Sequence, residues 1–300
     1  LFKKEFGLTQ ILIEELKHVY DMSRILQKFS FGKGEAMELI QLSNSLMQAA
    51  SIRDIIRKDF LEHTKIGKRL SNTLSELMGA LEFDNTFINK VLCSFDEEQL
   101  IRYQRQKVEQ DTNPEEIRDN VKSKTDDSQS SIGWVAKPEA SQTLSKLHKQ
   151  YSLLLQKRER LLKVYEDVFV TQLQAKEVML KLKQTNEYAI HLVGTANNLL
   201  KISEFIKKNS LVDGEPFHIL QKSAQTRWLT HKSWTDLGQQ LDLAVMKIRQ
   251  EENNIINSFK SEFVKKSTII REISQTLDYL DVLTSFAKFS IEKNLVCPKV

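Results

Sequence analysis

Apolar positions along this chain fall mostly at helical spacing. Leu237, Leu241, Val245, Ile248, Ile255, Phe259 and Phe263 recur at steps of three, four or seven. That spacing lays one apolar face along a helix. Leu144, Leu147, Tyr151, Leu154, Leu155, Arg158, Leu161, Leu162 and Tyr165 follow a similar rhythm. No Gly or Pro lies between Pro138 and Gly194, nor between Gly238 and Pro298. The second stretch would reach about 90 Å as one helix, so a bent or interrupted helical arm is predicted. Ser141, three residues past Pro138, is the expected N-cap of the first arm. Two striped helices with a short insert between them predict an antiparallel pair carrying a small unit at its tip.

The insert, Val170 to Gly238, has another texture. Leu180-Lys181-Leu182-Lys183 alternates, and Tyr188 to Val193 is β-branched and aromatic up to Gly194. With four polar residues between them, these runs predict a hairpin. Leu199 to Lys208 predicts a short helix, and Asp213-Gly214-Glu215-Pro216 a turn. Phe217–Leu220 and Arg227–Leu229 are candidate strands, so the insert reads as a small mixed β unit. Leu8 to about Tyr103 reads as helical, punctuated by Gly32 and Gly34, with a fresh helix over Glu35–Ala50. Val108 to Ser131 is polar and Ser-rich and predicts a loop-like connector.

Composition narrows the class to a mainly α fold. Gly numbers only 9 and Pro only 4, too few for the turns of an all-β sandwich or barrel. Hydrophobic residues make up 40% and charged residues 28% of the chain, which supplies a core and excludes a wholly disordered chain. No apolar run approaches the ~18 residues a membrane span needs, so no membrane partner is expected. Cys93 and Cys297 build neither a disulfide scaffold nor a zinc site on their own. The chain opens on Leu1 and reads as a segment of a larger protein.

Candidate chemistry is sparse. Gly32-Lys33-Gly34-Glu35 lacks the spacing of a phosphate loop and reads as a helix stop. The six His are scattered without a zinc-protease pattern, and there is no nucleophile elbow. Neither an enzyme nor a cofactor or metal site is expected in this segment. Trp228 and Trp234 read as packing anchors beside strands. The net charge of +4 decides little. The insert holds nine Lys/Arg against six Asp/Glu. Among them Lys201, Lys207, Lys208, Lys222 and Arg227, with Asn197 and Ser223 beside them, suit either a solvated face, the commoner fate on composition, or phosphate contacts with hydrogen-bonding helpers. Asp21 and Arg24, at i and i+3, read as a structural ion pair.

Four ordered stretches resemble the MutS mismatch-repair family. Asp21-Met22-Ser23-Arg24-Ile25-Leu26, Phe31-Gly32-Lys33-Gly34 and Glu38–Leu42 are similar to its core run D-x-x-R…G-R-G…D-L-x-x-L. Leu180–Val193 resembles its clamp hairpin, with Glu187 where Gly is expected. Arg227-Trp228-Leu229-Thr230 resembles its E-R-Y/F-I/V-T segment, with Thr226 replacing Glu and His231 standing where Pro is frequent. Leu280–Ala287 and Asn294–Val300 resemble its L-D-V-L-x-S-x-A…Y-V-x-P-x-V signature. At Trp134–Pro138 and His191–Thr195 the texture of the segment resembles fungal mitochondrial homologues, and mitochondrion or nucleus is the expected location.

The resemblance implies a helical core and first lever arm over 1–169, a clamp over 170–238 and returning lever helices over 239–300. It implies a clamp that grips duplex DNA, mismatched in the cell, without reading sequence. The mismatch-reading domain would precede the segment, and an ATPase with ATP, Mg and the homodimer or heterodimer contact would follow it. The competing reading is a long-helix scaffold or tether that binds protein partners only.

Overall fold

The computed structural model describes residues 6–62, 75–102, 133–183, 187–208, 211–212 and 214–295. The connector expected over 108–131 lies outside these residues, as do Gln184–Asn186 and Val296–Val300. The named helices are α1 (Phe6–Leu16), α2 (Met22–Ser30), α3 (Ala36–Glu62), α4 (Asn85–Ser94), α5 (Gln142–Glu166), α6 (Ala196–Lys207), α7 (Lys232–Lys265) and α8 (Ser267–Glu292). Strands are β1 (Glu177–Leu182), β2 (Tyr188–Val193), β3 (Leu211–Val212), β4 (Glu215–Pro216), β5 (His218–Lys222) and β6 (Thr226–Thr230). The fold is mainly α with a small antiparallel sheet, as the periodicity predicts. The chain packs as two compact units.

The first unit is Leu1–Arg102, Val135–Ala140 and Asn253–Val300. Its core follows the helical stripes. α2 buries Met22, Ile25, Leu26 and Phe29, at i, i+3, i+4 and i+7. Asp21 caps α2 by accepting the Arg24 backbone N–H at 2.9 Å. The expected Asp21–Arg24 ion pair is thus replaced by a cap, because Asp21 sits just before the first helical turn, whose amides lack intrahelical partners. The helix stops as the glycines predict. Gly32 takes φ 69° and Gly34 φ 95°, and the Lys33 N–H closes back on Lys28 O at 2.9 Å. A Cβ on Gly34 would stand 2.8 Å from the Phe29 ring. Phe263 lies at the centre of an aromatic cluster, 5.0 Å from Phe87 and 6.3 Å from Phe29 between ring centroids.

The stretch free of Gly and Pro is interrupted at one residue. Lys266 separates α7 from α8 with φ −93° and ψ 13°. Its ammonium pairs with Asp84 at 3.3 Å and sits 4.7 Å from the Phe87 ring centroid. Asp84 also caps α4 by accepting the Thr86 and Phe87 amides. Hydrogen bonding to Thr86, then to the Phe87 amide and Lys266, lowers the Asp84 carboxyl to about 2.

The second unit is Tyr103–Trp134 with Ser141–Glu252. Ser141 caps α5 as expected, accepting the Leu144 N–H at 3.0 Å. The Ser141 hydroxyl also donates to Glu251 at 3.1 Å. At the other end of α5, Tyr165 O–H meets His231 Nδ1 at 2.8 Å. Start against end and end against start, α5 and the 232–252 part of α7 run antiparallel. Trp134 reinforces the first tie, edge-on to His148 at 5.0 Å and under the Arg249 guanidinium at 5.2 Å. Phe169 and Phe217, 5.0 Å apart, reinforce the second.

At that second end the chain builds its sheet, ordered β1-β2-β6-β5 and antiparallel throughout. The predicted hairpin is β1–β2, in register from Glu177↔Val193 to Leu182↔Tyr188. Val178, Leu180, Ile190, Leu192 and Leu229 form its buried face. β2 is locked to α7 by Tyr188. Its ring lies where a Cβ of Gly238 would be, 2.3 Å away, and stacks edge-on to Trp234 at 5.3 Å. Its O–H donates to Asp242. Burial, then the Asp242 carboxylate, pushes the Tyr188 phenol above its ordinary range. Trp234, 1% exposed, is the packing anchor the sequence reading predicts.

Candidate nucleic-acid interface

Three backbone turns meet at one end of the sheet. The first runs from Leu173 to Lys176 and carries Gln174 at φ 59°. The second follows Gly194 and starts α6. The Thr195 hydroxyl accepts the Asn198 N–H at 3.5 Å, and the Asn198 amide donates to Gln174 O at 2.6 Å. The third is the β5–β6 turn, joined to the second by Gly194 N–H to Gln225 O at 3.1 Å. Together they line a cavity of about 570 Å³ with Lys176, Gly194, Thr195, Asn198, Ala224 and Gln225 among its walls.

α6 turns Leu199, Ile202 and Ser203 inward. Asn197, Lys201, Lys207 and Lys208 are therefore left on its exposed side, with Glu204 among them. Lys208 also closes the helix, its N–H bonding Glu204 O at 3.0 Å. Lys222 ends β5 opposite Arg227 of β6. Cross-strand partners carry their side chains on one face. Arg227 reaches Ser203 of α6 from that face, Nε to Oγ at 3.5 Å, so Lys222 stands on the α6 side of the sheet. Lys201, Lys207, Lys208 and Lys222 are exposed, and none forms an ion pair with a described residue.

Two of the seven sequence candidates are occupied inside the fold. Arg227 is only 8% exposed. Its Nη1 donates to Ser223 O and, at 2.9 Å, to Thr226 O. A guanidinium spent on carbonyls at the base of a turn holds that turn. The side chain lies on the covered face because β6 register puts it level with buried Leu192. Ser223 is similarly used. Its hydroxyl accepts the Thr226 N–H at 3.1 Å and meets Thr226 Oγ1 at 2.6 Å, although it remains at the surface. Asn197 is exposed in the first turn of α6.

The sequence reading missed Lys176 and the turn residues Ala224 and Gln225, which border the cavity beside the start of α6. Gly194-Thr195 before Ala196-Asn197-Asn198 is a legible helix-start signal. Nothing local places Lys176 beside it. On the other face of the sheet Trp228 packs on His191, with ring centroids 4.4 Å apart.

Two of the three positions that depart from the family pattern are also accounted for. Thr226 supplies the β5–β6 turn hydrogen bonds described above. His231 is fully buried, with Nδ1 on Tyr165 and Nε2 3.3 Å from Glu215 O. Glu187 is exposed at the head of β2, its carbonyl accepting the Lys183 N–H at 2.8 Å.

Fold and site together define a mainly helical protein in which an antiparallel helix pair bears a small sheet and a short helix carrying lysines that pair with no described carboxylate. The sequence model of the family described as MutS domain III matches residues 2–287, and the chain belongs to that family. It is 24% identical to the DNA mismatch repair protein MutS of Bacillus cereus (strain B4264), over 99% of this chain and 27% of that protein. Shorter matches reach 40% identity over 76 residues in MutS of Geobacillus sp. (strain WCH70), covering 24% of this chain and 8% of that protein. Another is 34% identical over 83 residues to MutS of Lactococcus lactis subsp. cremoris (strain SK11), covering 27% of this chain and 10% of that protein. The chain thus spans about a quarter of the length of the curated relatives that it matches end to end. Among the described residues no helix is long and apolar enough to cross a membrane.

Proposed function

We propose that this chain is the lever and clamp part of a mismatch-repair protein, and that it grips the duplex backbone without reading sequence. Lys201, Lys207, Lys208 and Lys222 supply the phosphate contacts. Asn197 and the Ser223–Thr226 turn supply hydrogen bonds, and Arg227 keeps that turn in shape. Such contacts fix register and affinity but carry no base information. The long helices connect this grip to an ATPase domain elsewhere in the longer protein, which would bind ATP and Mg and make the dimer contact. Mismatch recognition also belongs to another part of that protein.

The observation that carries the reading is the set of four exposed lysines, on and just after α6 and on β5, with no carboxylate partner among the described residues, in a family whose curated relatives are named for DNA mismatch repair. Anisotropy titration of a labelled duplex tests it. Lys207→Glu, Lys208→Glu and Lys222→Glu together should weaken binding and flatten the log–log salt dependence by about 0.9 per lost phosphate contact. An unchanged slope and affinity would sink the reading.

One observation favours the alternative of a scaffold for protein partners. Tyr279, Val282, Phe286 and Phe289 form an exposed apolar run along α8 at i, i+3, i+7 and i+10, the spacing of a helix-docking face. A chain that ignores duplex DNA at low salt would move the reading there.

A further inference from the structure

We infer that α5 is a second contact surface for the duplex backbone, separate from the lysines of α6 and β5. The inference extends the reading above from the sheet to the helix that supports it. α5 holds six Lys/Arg against two Glu, a surplus of +4 that equals the net charge of the whole chain. The rest of the sequence therefore sums to zero, and this one helix carries the excess.

The excess is also ordered on one side. At about 100° per residue, Lys146, Lys149, Lys157 and Arg160 fall within an arc of about 80°. All four are exposed, and Lys163 borders the arc. Leu144, Tyr151 and Tyr165, which α5 buries, lie on the opposite side of the helix. Glu159 and Glu166 fall outside the arc, so no acid interrupts it. None of these five cations pairs with a described carboxylate. The antiparallel partner is a control for helix exposure alone. Over 232–252, the exposed charges of α7 are Lys232 and Lys247 against Asp236 and Asp242, which cancel.

From Lys146 to Lys163 the stripe runs about 25 Å, the axial length of about 7 base pairs and about 15 phosphates. A straight row of like charges matches a rod of uniform opposite charge. An acidic protein partner fits less well. Protein interfaces centre on aromatic and Arg anchors desolvated in an apolar surround, and the arc holds no aromatic residue and only the aliphatic Leu153 and Val164 beside Arg160.

The test uses the full chain and a labelled duplex of about 30 base pairs, titrated between about 50 and 200 mM salt. It compares wild type with Lys146→Gln/Lys149→Gln/Lys157→Gln/Arg160→Gln and with Lys207→Gln/Lys208→Gln/Lys222→Gln. Gln matches Lys and Arg in helix propensity, so the α5 variant should melt with wild type. If it melts early, the pairs Lys146→Gln/Lys149→Gln and Lys157→Gln/Arg160→Gln each replace it at half the effect. The expected result is at least tenfold weaker binding and a slope shallower by up to about 3.6, four contacts at about 0.9 each. An α5 variant that binds like wild type, beside a weakened α6–β5 variant, overturns the inference and leaves the proposed clamp standing. The reverse pattern supports the inference and removes the clamp. A wild type that ignores the duplex but binds a polyglutamate peptide through α5 reassigns the stripe to an acidic protein and overturns it.

Discussion

Gly238 and Tyr188 show how tightly single residues set this fold. A methyl group on Gly238 would overlap the Tyr188 ring, and that ring cannot yield, pinned by Trp234 and by its hydrogen bond to Asp242. Gly238→Ala should cost roughly 1–3 kcal/mol, the usual range for overpacking, read as a lower midpoint in chemical denaturation. Arg227→Ala separates two roles for one guanidinium. The loss of its bonds to Ser223 O and Thr226 O should destabilise by about 1–3 kcal/mol, while the salt slope for duplex binding stays unchanged at temperatures where the variant is folded. A slope lower by about 0.9 would return Arg227 to the phosphate contacts. The sequence shows an Arg beside Trp in a basic segment, and both roles suit that pattern. The register with Leu192 and the proximity of Ser203 favour the turn-holding role.

At the scale of elements, legibility follows locality. Ser141 reads as a cap because its partner, the Leu144 amide, is three residues away. Ser141→Ala should lower stability by about 1 kcal/mol, visible as an earlier thermal melt. The β1–β2 hairpin is legible from the alternation of Leu180–Lys183, the β-branched and aromatic run up to Val193 and the polar residues between them. The break between α7 and α8 was not placed, because no Gly or Pro marks it. Lys266 takes its pairing from Asp84, 182 residues earlier, and no local pattern encodes that contact. Asp84 also makes the junction acid-sensitive, first through its bonds to Thr86 and the Phe87 amide and then through Lys266. The Asp84 carboxyl is lowered from 3.8 to about 2, so its contribution is fully present above its unfolded value and is lost as pH falls through the folded one. Between about pH 4 and pH 2, wild type should lose more thermal stability than Asp84→Ala. Equal losses would show that ionised Asp84 contributes nothing.

For the whole molecule, the two packing units cut across sequence order, since each gathers segments far apart in the chain. The helical class and the small sheet followed from periodicity and from the shortage of Gly and Pro. The division into units did not, because it depends on ties such as Ser141 to Glu251 and Phe95 to Ala136. The first of those ties has a further consequence. α5 and α7 are fastened to each other at both ends, by Ser141–Glu251 at one and Tyr165–His231 at the other. A single inserted or deleted residue in either helix would rotate everything beyond it by about 100° and break one fastening. Seven residues added to both helices would turn each by only about 20° and keep the two in phase. Length changes in this arm should therefore come as matched pairs of whole-turn insertions that keep phase, such as seven, eleven or eighteen residues in each helix.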